Sequence, residues 1–310
     1  MMQSRRPWPA VALAVVSLAA AAAPAVAADA PGAPGAVATW TEGDKDGIGS
    51  ATSLTSRPLF TLDDGEMTEV YAPDLGTPSI RDLQLVVSDG KTFSERERED
   101  ATHRIELADP RSLTYRQVNT AKSGRWRITK TYVADPARDA VLVDVQFESL
   151  TGGALDLYAI LDPGLSNSGD DDRARTEGGT LAAYDGRYAS ALAAGPAPTQ
   201  VSSGYQGASD GWTDLRSDHR MDWTYDTASA AGNVVQTARL PLTGLGAKRR
   251  ATLSLGFGAD PAAAASTATA SLAGGFAGAA DRYAAGWHDY LGGLSRPAAA
   301  KGRGASTTSR

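Results

Sequence analysis

The sequence predicts an all-β protein built as a large antiparallel β-sandwich. Three observations carry that expectation. Strand-length apolar runs recur from Trp40 to about Gly258, turn signals separate them, and helical periodicity is almost absent over the same span.

The runs can be justified in order. Leu59–Leu62 and Leu83–Val87 flank a segment punctuated by Gly65, Pro73, Gly76 and Pro78, which reads as strand, turn, strand, bend, strand. Thr114–Val118, Trp126–Val133, Val141–Glu148, Leu155–Leu161, Thr180–Tyr184, Asn233–Leu240 and Ala251–Phe257 follow. The run from Val141 to Phe147 alternates late in its length, as a strand with one buried face should. Asp135-Pro136, Thr151-Gly152-Gly153, Asp185-Gly186 and Thr243-Gly244 supply turns. The character changes after Asp260. Pro261–Leu294 is Ala-rich and free of internal Pro, and Tyr283, Trp287, Tyr290 and Leu291 fall at i, i+4, i+7 and i+8, one face of a helix.

The first 27 residues read as a signal peptide. Arg5 and Arg6 form a basic start, Val11 to Ala23 an apolar stretch, and Ala25-Val26-Ala27 a cleavage site before Ala28. The stretch is too short and too rich in Ala for a membrane span, which needs about 20 strongly apolar residues. The expected location is therefore outside the cell or in the periplasm, with no membrane contact after cleavage. Residues 28–36 read as a Pro/Gly linker, 37–260 as the sandwich, 261–297 as the helical segment and 298–310 as a disordered tail. The 310-residue chain has no cysteine. That removes thiolate catalysis, thiolate-bound metals and a lipoprotein anchor, and leaves an exported domain to be held by its core alone. The net charge of -6, with acids and bases interspersed, gives no footprint for nucleic acid.

Arg57 to Gly90 reads RPLFTLDDGEMTEVYAPDLGTPSIRDLQLVVSDG. The pieces Asp64–Glu66, Thr68–Pro73 and Pro78–Gly90 resemble the opening strands of the N-terminal domain of bacterial glucoamylases and glucodextranases, glycoside hydrolase family 15. Lys45–Ala51, Gly124–Asp135, Leu157–Leu165, Ser203–Leu215, Asn233–Leu240 and Leu255–Gly258 continue the resemblance in order, over roughly residues 33 to 297. The resemblance implies a two-sheet supersandwich related to the galactose-mutarotase-like folds. In that family, helical segments join the sandwich to an (α/α)6-barrel whose glutamates do the catalysis. No residue here aligns with those glutamates, so the resemblance implies the accessory half of such an enzyme.

Several residues are candidates for chemistry. Ser209-Asp210-Gly211-Trp212 lies among Gly204, Gly207 and Gly211 and reads as a loop suited to sugar: an indole to stack on a pyranose and a carboxylate to take hydroxyls. Trp223 and Tyr225 follow closely and extend the same surface. Asp170-Asp171-Asp172 is a dense oxygen cluster that leaves room for Ca²⁺, although three consecutive aspartates cannot all face one ion and a solvated loop is the simpler reading. No other cofactor is expected. Glu66 and Glu69 read as structural, paired with an arginine such as Arg81. His103, His219 and His288 are too far apart in sequence for a metal motif.

The resulting expectation is a secreted, carbohydrate-associated accessory domain, binding α-glucan or supporting a catalytic barrel, without hydrolytic activity alone. Three rivals stay open: a truncated or frameshifted α-glucosidase, a mutarotase-like epimerase using a histidine, and a structural or partner-binding sandwich.

Overall fold

The computed structural model describes residues 28–177, 179–244 and 248–295, together with Met1. The expected signal peptide, apart from Met1, and the expected tail lie outside the described residues.

The first part of the chain forms β1 (Gly47–Ser50), β2 (Leu59–Asp63), β3 (Glu66–Tyr71), β4 (Pro78–Ser88), β5 (Ser94–Arg96) and the single turn α1 (Glu97–Asp100). Next come β6 (Ala101–Asp109), β7 (Thr114–Ala121), β8 (Trp126–Ala134), β9 (Ala140–Ser149) and β10 (Asp156–Pro163). The third part contains β11 (Asp172–Glu177), β12 (Thr180–Tyr184), β13 (Ala189–Gly195), β14 (Gln200–Tyr205) and α2 (Gly211–Asp218). The chain continues through β15 (Thr227–Gly232), β16 (Val234–Leu240), β17 (Lys248–Gly258), α3 (Pro261–Gly274) and α4 (Phe276–Gly293).

The strands form two sheets, as the sequence predicts. One has eight strands in the order β1-β2-β3-β4-β10-β16-β14, with β5 paired to β4. The other has nine, in the order β15-β11-β12-β13-β17-β9-β8-β7-β6. Each described strand ladder is antiparallel. Period-two alternation builds the layer between the sheets. Val141, Val143, Val145 and Phe147 of β9 face inward, while Asp144 and Gln146 stay half-exposed. Phe60, Leu62, Met67, Ile80 and Leu85 meet them from the eight-stranded sheet, and Trp126 and Tyr132 complete the largest part of the core.

The outer faces are covered too. Strand β10 is buried along almost its whole length. Leu157, Ala159 and Leu161 point into the sandwich, while Tyr158 and Ile160 point outward against Leu215 of α2 and Met221. On the opposite side α3 lies on β12, β13 and β17 through alanines: Ala264, Ala265 and Ala268 against Ala182, Ala191 and Ala193. A Cβ at Gly256 would stand 2.4 Å from the Ala268 nitrogen, so helix and strand touch backbone to backbone. Asp260 caps α3 by accepting from the Ala263 N–H at 2.8 Å, with Pro261 at the first position.

The aromatic face expected in the helical segment divides. Tyr283 of α4 is buried in the core and donates to the Leu113 carbonyl at 3.2 Å; Trp287 is half-buried and donates to Ser50 at 2.8 Å. Tyr290 and Leu291, one turn further on, are exposed.

The segment read as a free linker is instead a strap sewn to the sandwich. Ala30 donates to Thr227 at 2.8 Å, Ala36 to Gln206 at 2.9 Å, and Asn233 donates to Pro34 at 2.8 Å. Ala30 is buried within this strap, and its neighbours lie exposed along the edge that these bonds follow.

Candidate functional site

A small charged cavity lies on the outer face of the eight-stranded sheet. The register of β4 and β10 creates its floor: Asp82 stands directly opposite Asp162, and Gln84 opposite Ile160. Val235 of β16 adds an apolar patch beside them. Walls come from Glu66 at the start of β3, from Arg96 and Arg98 at the β5–α1 junction, and from Trp212 of α2. The cavity holds about 150 Å³.

Two like charges on adjacent strands need compensation. Arg81 supplies it, reaching Asp162 at 3.4 Å and pairing closely with Asp82. Arg98 pairs with Glu66 at 2.7 Å and with Asp64 at 3.3 Å. Burial pushes the Asp82 carboxyl up, against the pull of Arg81. Burial and the Asp82 charge push Glu66 and Asp162 well above the usual carboxylate range. Arg96 lies 4.3 Å over the Trp212 ring, a cation–π contact that forms one wall.

The Asp64-Gly65-Glu66 signature explains how this rim is held. It is the hairpin turn between β2 and β3, with positive φ at both Asp64 and Gly65. The Gly65 carbonyl accepts from Asn119 at 2.6 Å and from Lys130 at 2.8 Å. Lys130, buried in the interior, also pairs with Glu97 at 2.6 Å, and Glu97 accepts from the Leu85 N–H at 2.8 Å. A Cβ at Gly65 would stand 2.2 Å from His103, so the turn has no room for a side chain. One buried ion pair thus fixes the turn, α1 and the middle of β4 together.

The sequence candidates distribute as follows. Asp210 and Trp212 both line the cavity, but the expected loop is the helix α2. Asp210 is its N-cap: it accepts from the Thr213 N–H at 2.9 Å, the Gly207 N–H at 2.6 Å and the Thr213 hydroxyl at 2.8 Å. Its carboxylate is engaged in holding that helix. The glycines serve close packing, since a Cβ at Gly211 would meet Thr237 at 2.2 Å and one at Gly204 would meet Ser209 at 2.1 Å. Trp223 and Tyr225 are half-buried and lie outside the cavity; Trp223 donates its backbone N–H to Asp214 at 2.7 Å, and Tyr225 packs beside Ala174, Tyr205 and Val234.

The three consecutive aspartates diverge. Asp170 accepts from Ala38 of the strap at 2.9 Å, Asp171 pairs with Arg187 at 3.3 Å, and buried Asp172 accepts from the Leu165 N–H at 3.0 Å. Among the described residues no group of three or more His, Asp or Glu side chains is placed to hold a metal ion. Glu69 pairs with Lys45 at 2.6 Å rather than with Arg81. None of the three histidines lines the cavity. His103 bonds Asn119 and Arg98, His219 ends α2 in a left-handed conformation, and His288 pairs with Asp109.

Sequence reading missed Gln84, Arg96, Arg98 and Asp162. The dense charged run Glu95-Arg96-Glu97-Arg98-Glu99 was the available signal, although it spans the end of β5 and the turn α1, so no single period aims its charges. Asp162 had none, since only sheet register brings it to Asp82.

A two-sheet supersandwich with a polar outer cavity is the class of domain that the fold and site define. Residues 30–292 match the family model for glucodextranase domain N, and the chain belongs to that family. It is 34% identical over 216 residues to a glucoamylase of Clostridium sp. (strain G0005), covering 67% of this chain and 30% of that protein. The crystal structure of a bacterial glucoamylase complexed with acarbose superposes with a TM-score of 0.81 at 31% identity, covering 86% of this chain and 40% of that one. The chain thus spans less than half the length of either relative.

Proposed function

We propose that this chain is the accessory β-sandwich of a secreted glycoside hydrolase acting on α-glucan. Its role is to brace a helical catalytic domain and to touch the glucan, without cutting it. The observation that carries this reading is the close superposition on part of a bacterial glucoamylase. The state of the carboxylates supports it. Hydrolysis of a glycosidic bond needs two carboxyl groups on opposite sides of that bond, one free to protonate the leaving oxygen. Asp82 and Asp162 stand side by side and share Arg81. The exposed Tyr290, Leu291 and Leu294 of the α4 end offer an apolar surface to a neighbouring domain. The leader pattern supports export.

The purified chain should release no glucose from maltooligosaccharides or isomaltooligosaccharides above the blank. Release proportional to protein concentration overturns the accessory role. Mass spectrometry of the exported protein should find Ala28 at its N-terminus; retention of residues 1–27 overturns the export reading.

A further inference from the structure

Resting on that α-glucan reading, we infer that the cavity above Asp82 is a subsite for one neutral pyranose ring.

The hydrogen-bond inventory selects the ligand. Glu66 Oε2, Asp82 Oδ1 and Gln84 Oε1 are shielded oxygens without a partner, and Arg96 Nε is a shielded donor without an acceptor. All four side chains line the same cavity, and Glu66 and Asp82 are 0% and 1% exposed. A buried polar atom left without a partner costs about 1–3 kcal/mol, so four around one space mark a place prepared for something that bonds them. Unpaired oxygens on Asp82 and Gln84 beside donors on Arg96 and on Glu66, whose carboxyl is pushed up and holds a proton, call for a ligand that both donates and accepts. An anion brings acceptors alone and would leave the Asp82 and Gln84 oxygens unpaired. A multivalent metal ion finds no cluster of three acidic or imidazole ligands among the described residues. Hydroxyl groups fit, since each donates once and still accepts.

Shape narrows the choice further. Ile160 and Val235 beside the floor carboxylates, and the Trp212 ring stacked with Arg96, add apolar surface to the cavity. A pyranose has that division, with C–H groups on its faces and hydroxyls around its rim. A space of 150 Å³ equals about five liquid waters at about 30 Å³ each, enough for one ring and too little for a chain. The sugar end, not an internal stretch, is what enters.

The test is a titration of the full chain with glucose, maltose and maltotriose, following the Trp212 indole N–H by NMR, with Trp212→Phe identifying the resonance. A saturable shift is expected, with dissociation constants for the three sugars within about threefold, because only one ring is seated. Gln84→Leu removes an acceptor and leaves the ion pairs of Arg81, Arg96 and Arg98 in place. It should weaken binding about tenfold with an unchanged melting temperature. Arg96→Lys, which keeps the charge and loses the Nε–H, should weaken it by a similar factor. Three results overturn the subsite: no saturable shift with any of the sugars, affinity that climbs steadily with chain length, or binding untouched by both variants. Glucose release assayed in the same samples separates the two proposals. Release breaks the accessory role, whereas a missing shift without release breaks the subsite alone.

Discussion

The two outer faces of this sandwich are covered in opposite ways. Over the nine-stranded sheet, α3 lies flat on glycine and alanine, with helix backbone touching strand backbone at Gly256. Over the eight-stranded sheet, the short α2 and the loop after it cover what they can with Leu215, Met221 and Trp212. Beside α2 stays a charged cavity floored by Asp82 and Asp162. Close contact of small residues leaves no space under α3. Polar residues on an outward face hold the covering elements off, and the gap keeps unpaired atoms. The difference is why the proposed sugar subsite is sought beside α2 and not under α3.

Four measurements break or sharpen that comparison. The largest effect belongs to the ion pair behind the cavity. Lys130→Met leaves buried Glu97 without its cation and frees the Gly65 turn. A loss of about 3–5 kcal/mol is expected in urea unfolding. A loss under about 1 kcal/mol would show that the pair does not anchor the rim.

On the close-packed side, Gly256→Val pushes a side chain into the Ala264–Ala268 backbone. It should cost about 3 kcal/mol, because a packed helix cannot move aside freely. If the variant melts like the wild type, α3 is loosely seated and the contrast between the faces fails.

Asp172 gives a pH signature. Burial pushes its carboxyl to about 7, above an ordinary value of 3.8, and its Oδ1 has no partner. Between those values the folded state holds a proton that the unfolded chain has released. This group's contribution therefore declines as pH rises from about 4 to about 7. Asp172→Asn should abolish that decline and gain about 1–3 kcal/mol at pH 8, with little change at pH 4. Equal denaturation midpoints for the two proteins at pH 8 would refute it.

The smallest effect is expected at the cavity itself. Gln84→Leu should change stability by no more than about 0.5 kcal/mol, since it removes an unpaired acceptor from a half-buried position. A large loss would mean that the cavity is a structural network and not an open site.

Much of the fold was legible because its strands obey simple alternation. Thr180–Tyr184 was readable to the residue, and the runs at Trp126, Val141 and Leu155 to within two. Strand β6 was not, because it is an edge strand whose ATHRIELAD is mostly half-exposed or exposed and carries charge on both faces. Strand β13, ASALAAG, hid for another reason: alanine has no strand preference, and here it is selected by the closeness of α3. Helix α2 was read as a loop because its glycines were counted as breakers, while Asp210 was the cap that announces a helix. For the candidate site, Trp212 and Asp210 both line the cavity, with Asp210 also capping α2. The cavity's floor depends on pairing between residues 82 and 162, which local pattern does not encode.

The strap has a consequence for the order of events as the chain is made. Asp29 bonds Thr227 and Ser229, partners 198 and 200 positions downstream. Ala28 is tied to Asp226 at the same remove. Contacts of such separation close late, after the intervening sheets exist. The segment from Ala28 to Ala36 therefore waits unpaired until residues near 230 have been delivered. For a chain proposed to be threaded across a membrane from its N-terminus, that delay is useful. The final tie cannot form on the inner side ahead of its partners, and once formed it joins the beginning of the domain to its last third.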